Sequence, residues 1–109
     1  MSQISIACYK PKPGKEHELH GVVKRHLPVL RSEGLATARE AVIMRAKDGT
    51  IIEVFEWTSA EAIDAAHKNP QVMKLWDKFG EVCEYLPVGS LEEAQHPFSG
   101  FAPFDPDAP

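Results

Sequence analysis

Histidine is the side chain that exchanges a proton near neutral pH, and this sequence has five. His26 is the most informative. Leu19, Val22, Val23, Leu27 and Leu30 recur at three- and four-residue steps, which is the signature of a helix with one apolar stripe, and His26 falls near the centre of that stripe. It is either a general base facing a ligand space or a core histidine donating one hydrogen bond to a carbonyl. His67 flanks the apolar side of a second helix beside Ile63. It either lines the mouth of a pocket as a second base or is a helix-end histidine favoured by the helix dipole. His17 and His20 stand three apart, a spacing seen in metal sites, but those need a third ligand and a supporting shell. His17 points away from the apolar stripe and His20 only borders it, so a solvated charged face is expected and no metal. His96 has no evident partner.

Phe55 and Trp57 on one strand, with Met73, Trp76 and Phe79 on the last helix, can wall a site for a flat aromatic ligand. The competing reading is plain core, the commoner use of aromatics at such spacings. Glu53 and Glu56 fall on opposite faces of the strand, and a carboxylate on a covered face needs a partner. Arg39 and Arg45, across a hairpin, are the candidates. Cys8 and Cys83 form no CxxC pair, and Cys83 reads as a buried thiol in the stripe of the last helix. No phosphate loop, nucleophile elbow or zinc-finger spacing is present, so no cofactor is expected.

The elements that must position these groups follow from the patterning. Ile4 to Tyr9 alternates and ends at Lys10-Pro11-Lys12-Pro13-Gly14, a strand and a loop. A helix from about Lys15 to Ser32 follows, with Pro28 on its solvent side and Gly34 as the C-terminal stop. Ala38–Ala46 and Thr50–Thr58 are strands joined by Lys47-Asp48-Gly49, a hairpin signal. Ser59 caps a short helix to about Lys68. Pro70 begins a long one whose stripe runs through Val72, Met73, Leu75, Trp76, Phe79, Val82, Cys83 and Leu86. Five of the nine prolines lie beyond residue 86. There Ser90–Ala94 can add a helical turn, and Phe98, Phe101 and Phe104 a short edge strand. Residues 1–104 are read as one domain and 105–109 as a frayed tail. The order β-α-β-β-α(α)-β is the ferredoxin-like arrangement, a four-stranded antiparallel sheet with helices on one face.

Composition narrows the classes. A chain of 109 residues with 43% hydrophobic content makes one domain, too short for separate cofactor and substrate lobes. Twelve Lys+Arg against sixteen Asp+Glu give a net charge of −4, unlike the basic stripe of a nucleic-acid binder. No apolar run approaches the roughly 20 residues of a membrane span, and no secretion signal opens the chain. A cytoplasmic protein with reduced thiols is expected. The strand Thr50–Thr58 carries large residues on both faces, so the face without helices wants a partner.

Arg31-Ser32-Glu33-Gly34-Leu35, the run Glu53-Val54-Phe55-Glu56-Trp57-Thr58-Ser59-Ala60-Glu61-Ala62 and Ala66-His67-Lys68-Asn69-Pro70 together resemble the antibiotic-biosynthesis-monooxygenase-like family of dimeric α/β barrels, over roughly residues 3 to 86. The resemblance implies a homodimer packed sheet against sheet. It also implies a cofactor-independent monooxygenase acting on a small aromatic or quinol substrate, with His26 or His67 as base. The haem-degrading branch of that family uses an Asn, a Trp and a His. Here the first strand has no Asn, the expected Trp falls near Ala66 and the expected His near Trp76, so haem degradation is not implied. Two alternatives predict different interiors. A non-catalytic dimer binding a small apolar or aromatic metabolite would keep the cavity without a poised base. A structural module would fill it with Trp57, Trp76 and Phe79.

Overall fold

The computed structural model describes residues 1–107; Ala108 and Pro109, the end of the expected tail, lie outside the described residues. The elements are β1 (Gln3–Pro11), α1 (Glu16–Ser32), β2 (Val42–Arg45), β3 (Ile51–Trp57), α2 (Ala60–Ala66), α3 (Pro70–Val82), β4 (Cys83–Leu86) and β5 (Ala102–Pro103), with short 3-10 turns at Val88–Ser90 and Glu93–Gln95. They form one antiparallel sheet in the order β4-β1-β3-β2-β5, with the helices on one face. Five strands, not four, make the sheet.

Local chemistry explains most boundaries. At the end of α1 the Leu35 amide donates to the Leu30 carbonyl and the Gly34 amide to the Arg31 carbonyl. This closing motif needs the left-handed backbone that Gly34 adopts at φ 73°. Pro28 is exposed and α1 runs through it. In the β2–β3 turn the Asp48 carboxylate accepts the Thr50 amide at 2.9 Å, and Gly49 takes φ 93°. Ser59 Oγ accepts the Ala62 amide, and Asn69 Oδ1 accepts those of Gln71 and Val72. These two caps start α2 and α3 where expected.

The expected end of the last helix is corrected. Helix α3 stops at Val82, and Cys83 takes extended backbone angles of −148° and 169°. Cys83–Leu86 is the fourth strand, paired with β1 through Pro11↔Cys83, Tyr9↔Tyr85 and Cys8↔Leu86. The apolar spacing of Val82, Cys83 and Leu86 continues the helical stripe, while Cys83 and Tyr85 also alternate with Glu84 and Leu86. Pairing with the free edge of β1 decides between the two. The edge strand expected around Phe98, Phe101 and Phe104 shrinks to Ala102–Pro103, on β2 at the opposite edge. Phe98 is 97% exposed.

Cross-strand register sorts the side chains. Ser5, Ala7 and Tyr9 of β1 and Glu53, Phe55 and Trp57 of β3 share the helix face. There Tyr9 packs with Leu19, Val22, Val23, Leu75 and Phe79, and Phe55 and Trp57 pack with Leu27, Leu30 and Val72, the two halves of the main core. On the outer face Cys8, Ala46 and Ile52 are covered by Leu91, with Ala94 and Phe101 beside it. The chain's own C-terminal segment therefore supplies part of the cover that the two-faced β3 demanded. The rest of that face is bare: Ile4, Ile6 and Val42 are more than half exposed. No helix among the described residues is long and apolar enough to cross a membrane.

Candidate functional site

Small residues open a space in the main core. Ser5 and Ala7 stand opposite Phe55 and Glu53 on the helix face, where most neighbours are large. Between them and the helices lies a cavity of about 330 Å³, lined by Ser5, Ala7, Tyr9, Phe55 and Trp57 from the sheet, His26 from α1, Ile63 and His67 at the end of α2, Trp76 and Phe79 from α3, and Tyr85 of β4. This is the small end of the roughly 300–1,000 Å³ usual for ligand sites, and the lining is mostly apolar and aromatic, as such sites are. A packed interior would have left no such space.

His26, 3% exposed, carries the polar part. Its Nδ1 lies 2.7 Å from Glu53 Oε1, and its Nε2 lies 3.0 Å from Trp76 Nε1. An indole N–H can only donate, so Nε2 accepts, the ring proton sits on Nδ1, and Nδ1–H donates to the Glu53 carboxylate. Tyr9 donates its hydroxyl to the same oxygen at 2.7 Å. Burial, and then the charge of Glu53, push the Tyr9 phenol well above its ordinary range. Glu53 is fully buried, and its second oxygen, Oε2, has no hydrogen-bond partner. Phe55 and Phe79 set their rings edge to face against the imidazole at 5.5 and 5.1 Å. The rings fix its plane, and the carboxylate fixes its tautomer.

One of the two carboxylates, Glu56, takes the expected partner Arg39, and the other does not. Glu53 pairs with His26 and Tyr9, not with an arginine. Glu56, on the outer face, accepts from Thr37 Oγ1 at 2.7 Å, Ser2 Oγ at 2.8 Å and Arg39 Nε at 3.2 Å. Those hydrogen bonds hold its carboxyl below the usual range.

His67 is exposed at the cavity mouth. Its Nδ1 donates to the Ile63 carbonyl at 2.8 Å, and its ring meets Trp76 edge to face at 4.9 Å. Trp57 is pinned in the wall by donating to Ser5 Oγ at 2.9 Å. Thus His26, His67, Phe55, Trp57, Trp76 and Phe79 come together. Met73 does not: it lies on the exposed side of α3 and lines neither cavity, because Val72, Leu75 and Phe79 take the buried side. Sequence reasoning missed Tyr9, Tyr85, Ser5 and Ala7. The period-two pattern of β1 carried a signal, since it puts residues 5, 7 and 9 on one face.

His20 packs on Phe104 with ring centroids 4.6 Å apart; burial and the nearby Arg45 push its pKa down. Among the described residues no group of three or more His, Cys, Asp or Glu side chains could hold a metal ion. Cys8 and Cys83 are buried free thiols, and burial pushes Cys83 up to about 11. A second, open groove of about 1000 Å³ runs between α1, β2 and residues 103–107. Glu53 borders it, and Asp107 reaches within 3.6 Å of Lys24 at its rim.

No protein-family model matches the chain, and no curated protein matches it. Among solved structures the chain resembles Rv0793 from Mycobacterium tuberculosis, with a TM-score of 0.62 and 18% sequence identity over 80% of this chain and 94% of that one. At that identity the likeness shows a shared fold: an α+β chain with one antiparallel sheet and its helices on one face.

Proposed function

We propose that this chain is a cofactor-independent monooxygenase of the antibiotic-biosynthesis-monooxygenase-like kind. In this reading it is built on a ferredoxin-like subunit, works as a homodimeric α/β barrel and acts on a small phenolic or quinol-type substrate. One observation carries the reading: a buried histidine, oriented by a buried carboxylate, stands on the wall of an apolar aromatic cavity. A charge buried with an unpartnered oxygen costs stability, and such arrangements concentrate at functional sites.

The chemistry needs only a base and a dry space. His26 Nε2 takes a proton from an enol or activated methylene, and Glu53 stabilises the imidazolium through Nδ1. The substrate anion passes one electron to dioxygen, and the radical pair collapses to a peroxide anion. That anion recovers the proton from His26, and loss of water leaves a ketone. For a methylene substrate the sum is one methylene and one dioxygen giving one ketone and one water, with the base regenerated. The apolar walls keep water from the intermediates.

Oxygen uptake with anthrone and 1,4-naphthohydroquinone, on the wild type and His26→Ala, tests this. The expected result with anthrone is one dioxygen consumed per ketone formed, lost in the variant. No uptake above the uncatalysed rate, or uptake indifferent to His26, overturns it. The occupancy of Nε2 by Trp76 favours a second reading, a non-catalytic homodimer that binds an aromatic metabolite in the same cavity. It predicts ligand binding that survives loss of both His26 and His67, and no uptake.

A further inference from the structure

Resting on the reading of this cavity as a ligand site, we propose that Trp76 is its specificity-determining residue. Its indole N–H occupies His26 Nε2 in the free protein, and the site selects aromatics whose hydroxyl can take its place.

The buried hydrogen-bonding groups of the wall are already paired. Ser5 accepts from Trp57, Tyr9 donates to Glu53, and His26 Nε2 accepts from Trp76. A hydroxyl entering an apolar cavity loses its water and must find an acceptor there. Trp57 and Tyr9 are 4% and 3% exposed and locked in the core, whereas Trp76 is partly exposed. Its bond is the exchangeable one. Because Trp76 is partly exposed, its displaced indole N–H can turn to solvent, and the exchange then replaces one hydrogen bond with another. His67, edge to face with Trp76 at 4.9 Å, is a second neighbour of the moving ring. An aromatic without a donor has nothing to offer Nε2 and leaves the cap in place. The same exchange puts the ligand hydroxyl on the buried nitrogen of the imidazole that Glu53 orients, so the group that selects the ligand also determines when that base is free.

Matched ligands separate these cases without turnover. We would titrate 2-naphthol and naphthalene into the wild type and Trp76→Phe, following backbone and indole N–H signals by NMR. The phenyl ring keeps the wall and removes the competing donor. The wild type should prefer 2-naphthol, and only that ligand should move the Trp76 indole signal, a readout needing no variant. Trp76→Phe should bind 2-naphthol about fivefold more tightly, the worth of one net hydrogen bond, with naphthalene affinity little changed. An unmoved indole signal in the 2-naphthol complex, or an unchanged affinity ratio in the variant, overturns the proposal, as does failure of both ligands to bind. Selective 2-naphthol binding without oxygen uptake would instead retain the role of Trp76 and remove the oxygenase reading.

Discussion

Tyr9 donates its hydroxyl to Glu53 Oε1 across 2.7 Å, although the two residues are 44 positions apart and both lie in the layer between helices and sheet. With His26 Nδ1 on the same oxygen, Tyr9 supplies one of the two hydrogen bonds this carboxylate has. Tyr9→Phe removes it and keeps the ring stacked on Phe79. Hydrogen bonds to charged groups contribute about 1.5–3 kcal/mol, so urea unfolding should show a loss in that range. A loss below about 0.5 kcal/mol would mean that Glu53 does not depend on this donor.

Glu53→Gln removes the charge that orients His26 and keeps a side chain of the same shape. The amide retains an acceptor for Tyr9 and His26 but places its NH2 donors where Oε2 has no partner. Urea unfolding should show a loss of about 1–3 kcal/mol, while anthrone-dependent oxygen uptake falls at least about a hundredfold. Equal activity would remove Glu53 from the mechanism.

The two histidines should behave differently. His26→Ala removes a buried, oriented base and should lower uptake by about 10²- to 10⁴-fold. His67→Ala leaves the buried network intact and should change the rate only a few-fold, with its main effect on KM. The opposite ranking would assign the base to the cavity mouth.

Alkaline pH should loosen the fold. Burial raises Cys83 to about 11, Tyr85 to about 12 and Tyr9 well above its ordinary range. Each folded-state value lies above the unfolded one, so the folded state holds protons that the unfolded chain has already released. Stability contributed by the neutral groups is present below about pH 9 and is lost as pH rises from there through 11 and 12. Urea midpoints at pH 8, 10 and 11 should fall in that order. A flat profile would contradict the burial of Tyr9 and Cys83.

The bare part of the outer face supports a pairing of two chains through it. Light scattering should then give twice the 12.1 kDa chain mass. Ile6→Lys puts a charge among Ile4, Val42 and Val54 and should return the mass to one chain. A single-chain mass for the wild type, or a variant that still pairs, would place the contact elsewhere.

Local signals were legible wherever one residue decides the backbone. Asp48-Gly49 marked the hairpin, Ser59 and Asn69-Pro70 the helix starts, and Gly34 the helix end. The junction at Cys83 was not legible, because helical and strand periodicities agree there and the free edge of β1 makes the choice. The site was half legible for the same reason. The stripe of α1 pointed His26 inward, and the two-sided β3 showed that Glu53 needed a partner. Their meeting joins positions 27 apart through sheet register, which no local spacing encodes. Met73 falls outside the cavity because its angle on α3 lies only one step from the buried row.

Strand β5 closes the sheet in a way that also restricts how copies of this chain can meet. The Phe104 amide donates inward to the Ile43 carbonyl, so in the alternation of an antiparallel edge the neighbouring outward amide belongs to residue 103. Residue 103 is proline, with no hydrogen to offer. An incoming strand therefore finds no donor at that point, and the β5 border resists the edge-on polymerisation to which open sheets are prone.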